Sequence, residues 1–226
     1  MNNKKRILLI IFVFILLTTF HSKEVVLPER IKGFFLIKDV VFQNYSLLSN
    51  KQINNKISQI YDRNIFLLSL QDIKKLFNDE YFVKEVHVKK IFPNTIKIII
   101  TNDEPIAKIY FKKDSFIITE SNKLVPDVNF NYSKALPIVN GIGANKKFIS
   151  FYNFLIENNF PVEKIIQYNY FKIGRWDLYL DDLRIIKLPS NDYEKIVNNI
   201  NIILSDIRFQ NKHVLDFRVK NKIIID

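Results

Sequence analysis

Apolar positions fall into three regimes along the chain. The first is an unbroken run, Ile7, Leu8, Leu9, Ile10, Ile11, Phe12, Val13, Phe14, Ile15, Leu16 and Leu17, behind the cations Lys4, Lys5 and Arg6. With Thr18, Thr19 and Phe20 it stays uncharged for fourteen residues. As a helix that stretch reaches only about 21 Å, against a hydrocarbon core of roughly 30 Å. The exit, Thr18-Thr19-Phe20-His21-Ser22-Lys23, lacks the small-x-small pattern of a cleavage site. Lysines at both ends can snorkel, and a thinned bilayer absorbs part of the deficit. The pattern predicts an uncleaved transmembrane anchor over 7–22. Residues 1–6 would be a cytoplasmic tail, with all later residues beyond the membrane. A cleaved signal is the alternative.

The second regime mixes two periods. A polar connector over 23–33 leads to Phe34–Phe42, apolar and β-branched, which reads as a strand. Ser49-Asn50-Lys51-Gln52 has the form of a capping box, and the helix it opens aligns Ile53, Ile57 and Ile60. Ser69 caps a second helix carrying Leu70, Ile73, Leu76 and Phe77 on one side. A hairpin follows: Val86, Val88 and Phe92 alternate before Phe92-Pro93-Asn94-Thr95, and Ile96, Ile98 and Ile100 after it. Proline and asparagine there suit a type I turn. Strand, helix, helix, strand, strand makes a small module over 34–104.

The third regime, 105–226, is mainly short strands with two helices. Strands are predicted at Ile106–Phe111, Phe116–Thr119, Leu136–Val139, Ile165–Tyr168, Trp176–Leu180 and Arg184–Leu188. One helix carries Phe148, Phe151, Tyr152 and Leu155. The other starts at Pro189-Ser190-Asn191 and carries Tyr193, Ile196, Val197, Ile200, Ile203 and Leu204. The chain closes on two β runs around Lys220-Asn221. The fold class is α+β: an N-terminal transmembrane helix, a βααββ module, then a mainly antiparallel β domain.

Composition narrows the function by exclusion. Net charge is +11, but Lys and Arg are spread thinly among acidic residues rather than gathered into a stripe, so nucleic acid is not an expected partner. There is no cysteine, hence no disulfide or thiolate metal site. The three histidines, His21, His87 and His213, are scattered, and no metal or cofactor is expected. The acidic pairs Asp103-Glu104 and Asp181-Asp182 diverge on strands or turns instead of converging for acid–base work. Gly141-Ile142-Gly143 lacks the third glycine of a dinucleotide loop and reads as a turn before a helix. No catalytic residue is expected, and an enzyme is not. What remains is Ile223, Ile224 and Ile225, an apolar strand near the chain's end. Such a strand tends to a sheet edge, where it either pairs internally or receives a partner's strand.

Residues spread over the whole chain carry a family resemblance. They are Asn64-Ile65-Phe66-Leu67-Leu68, then Phe82-Val83-Lys84-Glu85-Val86-His87-Val88-Lys89-Lys90 running into Phe92-Pro93-Asn94-Thr95, and Pro105-Ile106-Ala107. Further along come Leu136-Pro137-Ile138 with Gly141 and Gly143, Trp176-Asp177-Leu178, Leu188-Pro189 and Leu215-Asp216-Phe217-Arg218. Together they resemble the FtsQ/DivIB family of cell division proteins, in its alphaproteobacterial form. The resemblance implies a POTRA-like module and a non-enzymatic scaffold of the inner membrane at the division septum. It implies binding to FtsB- and FtsL-like proteins by strand addition at the last strand, and to other divisome members through the POTRA-like module. Carried over, the partner-contacting positions are Arg218, Val219, Asn221 and Lys222, followed by Ile223, Ile224 and Ile225. Proline at Ile224 is the expected way to break that edge. The alternative is a secreted or periplasmic POTRA-containing wall-binding or assembly protein with a cleaved signal.

Overall fold

A computed structural model describes residues 3–19, 35–112, 114–127, 135–209 and 211–226. The connector at 23–33 lies outside the described residues, as do the last residues of the predicted anchor, 20–22. The apolar run forms helix α1 (Asn3–Thr19), and Ile7 through Ile15 are exposed on it. Its 17 residues rise about 26 Å. No helix among the described residues is long and apolar enough to cross a membrane, so the predicted transmembrane span is not obtained as such.

The remaining elements follow in order: β1 (Asp39–Gln43), α2 (Asn50–Ile57), α3 (Leu70–Lys75), β2 (Val83–Ile91), β3 (Thr95–Asn102), β4 (Pro105–Phe111), β5 (Asp114–Thr119) and β6 (Leu124–Pro126). Then come β7 (Ile138–Asn140), α4 (Ala144–Glu157), β8 (Ile165–Phe171), β9 (Arg175–Leu180), β10 (Ile185–Lys187), α5 (Glu194–Ser205), β11 (Val214–Asp216) and β12 (Ile224–Ile225). Contacts divide the chain into two units. One comprises Met1–Gln43, Asn50–Leu76 and His87–Ile99, the other Asn44–Ser49, Phe77–Val86 and Ile100–Asp226.

The small sheet has the order β1-β3-β2, with β1 parallel to β3 from Asp39 opposite Thr95 to Gln43 opposite Ile99. Within the first unit Ile37, Ile53, Ile60, Ile65, Leu68, Ile73, Ile96 and Ile98 are buried. These include Ile53 and Ile60 of the first helical stripe, Ile73 of the second, and alternate positions of β3. Ser69 Oγ accepts the Gln71 N–H at 3.2 Å and so caps α3. Two predictions fail here. The first strand starts at Asp39 rather than Phe34, because Phe35 has a φ of +62° and cannot be extended backbone. Phe92, predicted on the buried side of the hairpin, is 56% exposed, and the peptide bond joining it to Pro93 is cis.

In the second unit one sheet runs β12-β11-β10-β9-β8-β7-β4-β5-β6 among the described residues. Most of its pairings are antiparallel, but β4–β7, β7–β8 and β10–β11 are parallel. Helix α4 buries Phe148, Phe151 and Leu155 against it, as its stripe predicts, and the Phe151 ring stacks on Trp176 at 4.7 Å and 4°. Trp176 is a core residue. Helix α5 starts at Glu194, later than Pro189-Ser190-Asn191 suggests, because Asp192 has a φ of +59°. Gly141 is required by space as well as conformation: its φ is +116°, and a Cβ there would lie 2.1 Å from the Tyr170 carbonyl oxygen. The three-residue strand β6 had no sequence signal. It is set by Asn122, at φ +62°, which turns the chain back onto β5.

Candidate partner-binding edge

The end of the large sheet is built from a row of alternating charge. Asp177 on β9 lies opposite Lys187 on β10, and Lys187 lies opposite Asp216 on β11. Both aspartates are buried. Arg175 Nε sits 3.1 Å from Asp177 Oδ1, but too poorly aligned for a hydrogen bond. Burial therefore pushes the Asp177 carboxyl above the usual range, against the pull of Arg175, Lys187 and Arg218. Asp216 moves the other way. The Arg218 guanidinium beside it holds its carboxyl below the usual range, because that side chain donates to it directly.

Asp216 also shapes the backbone. Its Oδ1 accepts the Arg218 N–H at 3.0 Å and Arg218 Nε at 2.8 Å, which fixes the bend where the chain leaves β11. Phe217, buried between them, donates its N–H to the Lys187 carbonyl at 2.9 Å. The Lys222 N–H then closes a turn on the Val219 carbonyl at 3.1 Å, with Asn221 at φ +59°, a conformation asparagine tolerates. That turn delivers β12 antiparallel to β11, with Ile225 opposite Leu215 and Ile224 opposite Asp216.

Asp226 and Val214 exchange both backbone bonds at 3.3 Å. Antiparallel pairs alternate between bonded and non-bonded, so Ile224 also bonds inward to β11. By the same alternation Ile225 aims its N–H and C=O groups outward. At this end of the strand order β12 has one neighbour among the described residues. Ile223, Ile224 and Ile225 are 37%, 53% and 41% exposed, and Val219 is 44% exposed.

Beside this edge runs a groove of about 530 Å³ between α5 and the final turn. Ile196, Ile203, Phe217, Val219 and Ile223 give it an apolar floor, and Lys195, Arg218, Lys220 and Lys222 outnumber Asp192 around it. An extended segment with apolar and acidic side chains suits such a surface. Arg218, Val219, Asn221, Lys222 and Ile223, predicted as contact residues, line this groove, and Ile224 and Ile225 form the adjoining strand.

The model of the FtsQ-type POTRA domain matches residues 35–102. Cell division protein FtsQ of Rickettsia typhi is 28% identical over 197 residues, covering 84% of this chain and 72% of the relative. That of Rhizobium meliloti is 22% identical over 180 residues, covering 79% of this chain and 58% of the relative. The chain is thus similar to FtsQ proteins over most of its length, and its residues 35–102 match their type of POTRA domain. Among solved structures, the major extracytoplasmic domain of the trans isomer of DivIB from Geobacillus stearothermophilus aligns at 14% identity. It covers 48% of this chain and 96% of its own, with a TM-score of 0.35.

In this chain the sequence reading missed the residues that position the edge, Asp216 above all. A signal for it existed. Asp-x-Arg occurs at Asp182-Leu183-Arg184, Asp206-Ile207-Arg208 and Asp216-Phe217-Arg218, and each makes the same hydrogen-bonded bracket. In each the arginine N–H donates to the aspartate two residues back, and its guanidinium returns to the same carboxylate. The spacing therefore marks a place where an aspartate brackets the backbone and side chain of the arginine two residues on. The proline test is also redirected: the Ile224 N–H serves the inner ladder, so the residue whose N–H is free for a partner is Ile225.

Proposed function

We propose that this FtsQ-like protein is a non-enzymatic, single-pass scaffold of the division machinery in the inner membrane. It binds FtsB- and FtsL-like proteins by adding a strand from the partner to β12. Its N-terminus is cytoplasmic, and its working units lie in the periplasm at the septum. The observation that supports strand addition is the position of β12 at the end of the sheet order, with the backbone groups of Ile225 turned away from β11. An incoming strand gains backbone hydrogen bonds there, and its side chains reach the apolar, cation-rimmed groove. Asp216 and Arg218 act as positioning residues that hold the edge in place. Other divisome members dock on the POTRA-like module, along the outer side of β1 or on the β2–β3 hairpin.

The test is co-purification of FtsB and FtsL from membranes with four forms: the full chain, a 219–226 deletion, Ile225→Pro and Ile224→Pro. Proline at 225 removes an outward N–H and leaves the β11 ladder intact. It should abolish partner recovery with the melting temperature close to that of the parent. Ile224→Pro should lose recovery together with part of the stability. Full recovery with a folded Ile225→Pro protein would sink the strand-addition reading.

A further inference from the structure

Three phenylalanines of the POTRA-type module sit together on its surface. Phe66 stacks on Phe92 at 4.8 Å, and Phe35 meets Phe66 edge-on at 5.1 Å. They are 45%, 55% and 56% exposed for Phe35, Phe66 and Phe92 in turn. Their sequence neighbours Leu67 and Ile91 are exposed as well. Three half-exposed rings present on the order of 300 Å² of apolar surface, the size of the largest patch on a typical monomer, which is often a functional one. Backbone bonds hold the patch rigid: Ile65 N–H to the Phe35 carbonyl at 3.0 Å, Ile37 N–H to the Arg63 carbonyl at 3.0 Å, and Lys38 N–H to the Asn94 carbonyl at 2.9 Å. The same bonds bring the backbone of Lys38 and Arg63 next to the segments that carry the rings, and Lys89 and Lys90 stand near the end of β2, before Phe92. Along these stretches the four cations stand against two carboxylates, Asp39 and Asp62.

We propose that this patch docks the module onto an anionic phospholipid surface, the rings entering the headgroup–acyl boundary and the cations pairing with lipid phosphates. Two observations choose lipid as the occupant. Charge complementarity is one, because basic residues around exposed aromatics suit an anionic bilayer. The other is the path of the chain. The POTRA-type match opens at Phe35, within the patch, and fifteen residues, 20–34, separate it in sequence from Thr19 at the end of α1. Fully extended they reach at most about 50 Å, which keeps the patch close to whatever bilayer α1 occupies. The inference rests on the anchored reading of α1, and its test separates the two.

Because the chain contains no cysteine, single replacements can carry an environment-sensitive fluorophore. The full chain is labelled through Leu67→Cys, or separately through Ile11→Cys. It is reconstituted into phosphatidylcholine vesicles with or without phosphatidylglycerol and probed with doxyl-labelled lipid. Docking predicts a blue-shifted Leu67 label that doxyl lipid quenches, more strongly with phosphatidylglycerol. The quenching should disappear in Phe66→Ser/Phe92→Ser and weaken in Lys38→Glu/Arg63→Glu, with circular dichroism unchanged. A quenched Ile11 label with an unquenched Leu67 label overturns docking and leaves the anchor standing. The reverse supports docking and overturns the anchor, while loss of both overturns both. Shielding of the Leu67 label from iodide without lipid quenching, rising with protein density, means that a second copy covers the patch and overturns the lipid assignment. Retained quenching in a folded serine pair also overturns it.

Discussion

At the scale of single residues, Asp177 and Asp216 are two buried carboxylates in one sheet whose charges are treated oppositely. Asp216 has a native pKa below its unfolded value of about 3.9. Its stabilisation is therefore fully present above that pH and lost as pH falls through the native pKa. Asp177 has a native pKa above the unfolded value. Its contribution is present only at lower pH and is lost as pH rises past the native pKa, so at neutral pH its charge costs stability. The expected outcome is a pair of opposite signs. Asp216→Asn lowers the melting temperature at pH 7 and reduces the acid-limb slope by up to about one proton. Asp177→Asn, which keeps the shape and removes the buried charge, leaves the melting temperature unchanged or raises it. Thermal melts from pH 3 to pH 8 check both. The same sign for the two variants would remove the electrostatic account of this edge. Asp216→Asn should also weaken FtsB and FtsL recovery more than Asp177→Asn, since only Asp216 holds the bend leading to β12.

At the scale of elements, what the sequence made legible follows from what is local. The stripe Phe148, Phe151 and Leu155 predicts a helix and its buried side, and both are found, because a 3.6-residue period belongs to the helix itself. Truncating Phe151 to alanine removes the ring stacked on Trp176 and should cost about 3–5 kcal/mol, read from urea unfolding with an unchanged m-value. A loss below about 1 kcal/mol would mean that the neighbouring Tyr193 and Phe154 rings close the gap. Legibility stops where partners are distant in sequence. Nothing local indicates that β1 is parallel to β3, or that β10 and β11 are parallel across the whole of α5. That second pairing brings Lys187 to Asp216 and sets the final turn beside α5. The apolar run Ile223 to Ile225 could thus be read as an edge strand from sequence, while the groove and the charged row beside it could not. Phe92 was misplaced for a related reason. Alternation along β2 counts it as core, but the chain turns at Pro93 and leaves the ring outside.

At the scale of the whole molecule, the proposed scaffold needs α1 to hold its working units at one membrane, and helix length is the quantity under strain. The 17 residues of α1 rise about 26 Å, but the uncharged residues 7–19 account for only about 20 Å of it, roughly 10 Å less than a typical hydrocarbon core. Eleven consecutive Ile, Leu, Phe and Val residues favour insertion by roughly 4–6 kcal/mol. Mismatch costs only fractions of a kcal/mol per ångström, and Lys4, Lys5 and Arg6 can snorkel to the headgroups. The proposed anchor rests on insertion outweighing that shortfall. The expected outcome is that the full chain stays in the membrane pellet after an alkaline carbonate wash and retains Lys4 to Arg6 by mass spectrometry of its N-terminus. Deleting residues 3–19 should release it to the supernatant with both units still cooperatively folded. Replacing Val13 by Lys, a charge near the middle of the run, should raise the insertion free energy by about 3 kcal/mol and leave a partly released population. A mature chain beginning near Ser22 would instead identify the run as a removed signal. Strand addition at β12 would then take place on a protein free of the membrane, and the lipid surface proposed for Phe35, Phe66 and Phe92 would have to hold it there unaided.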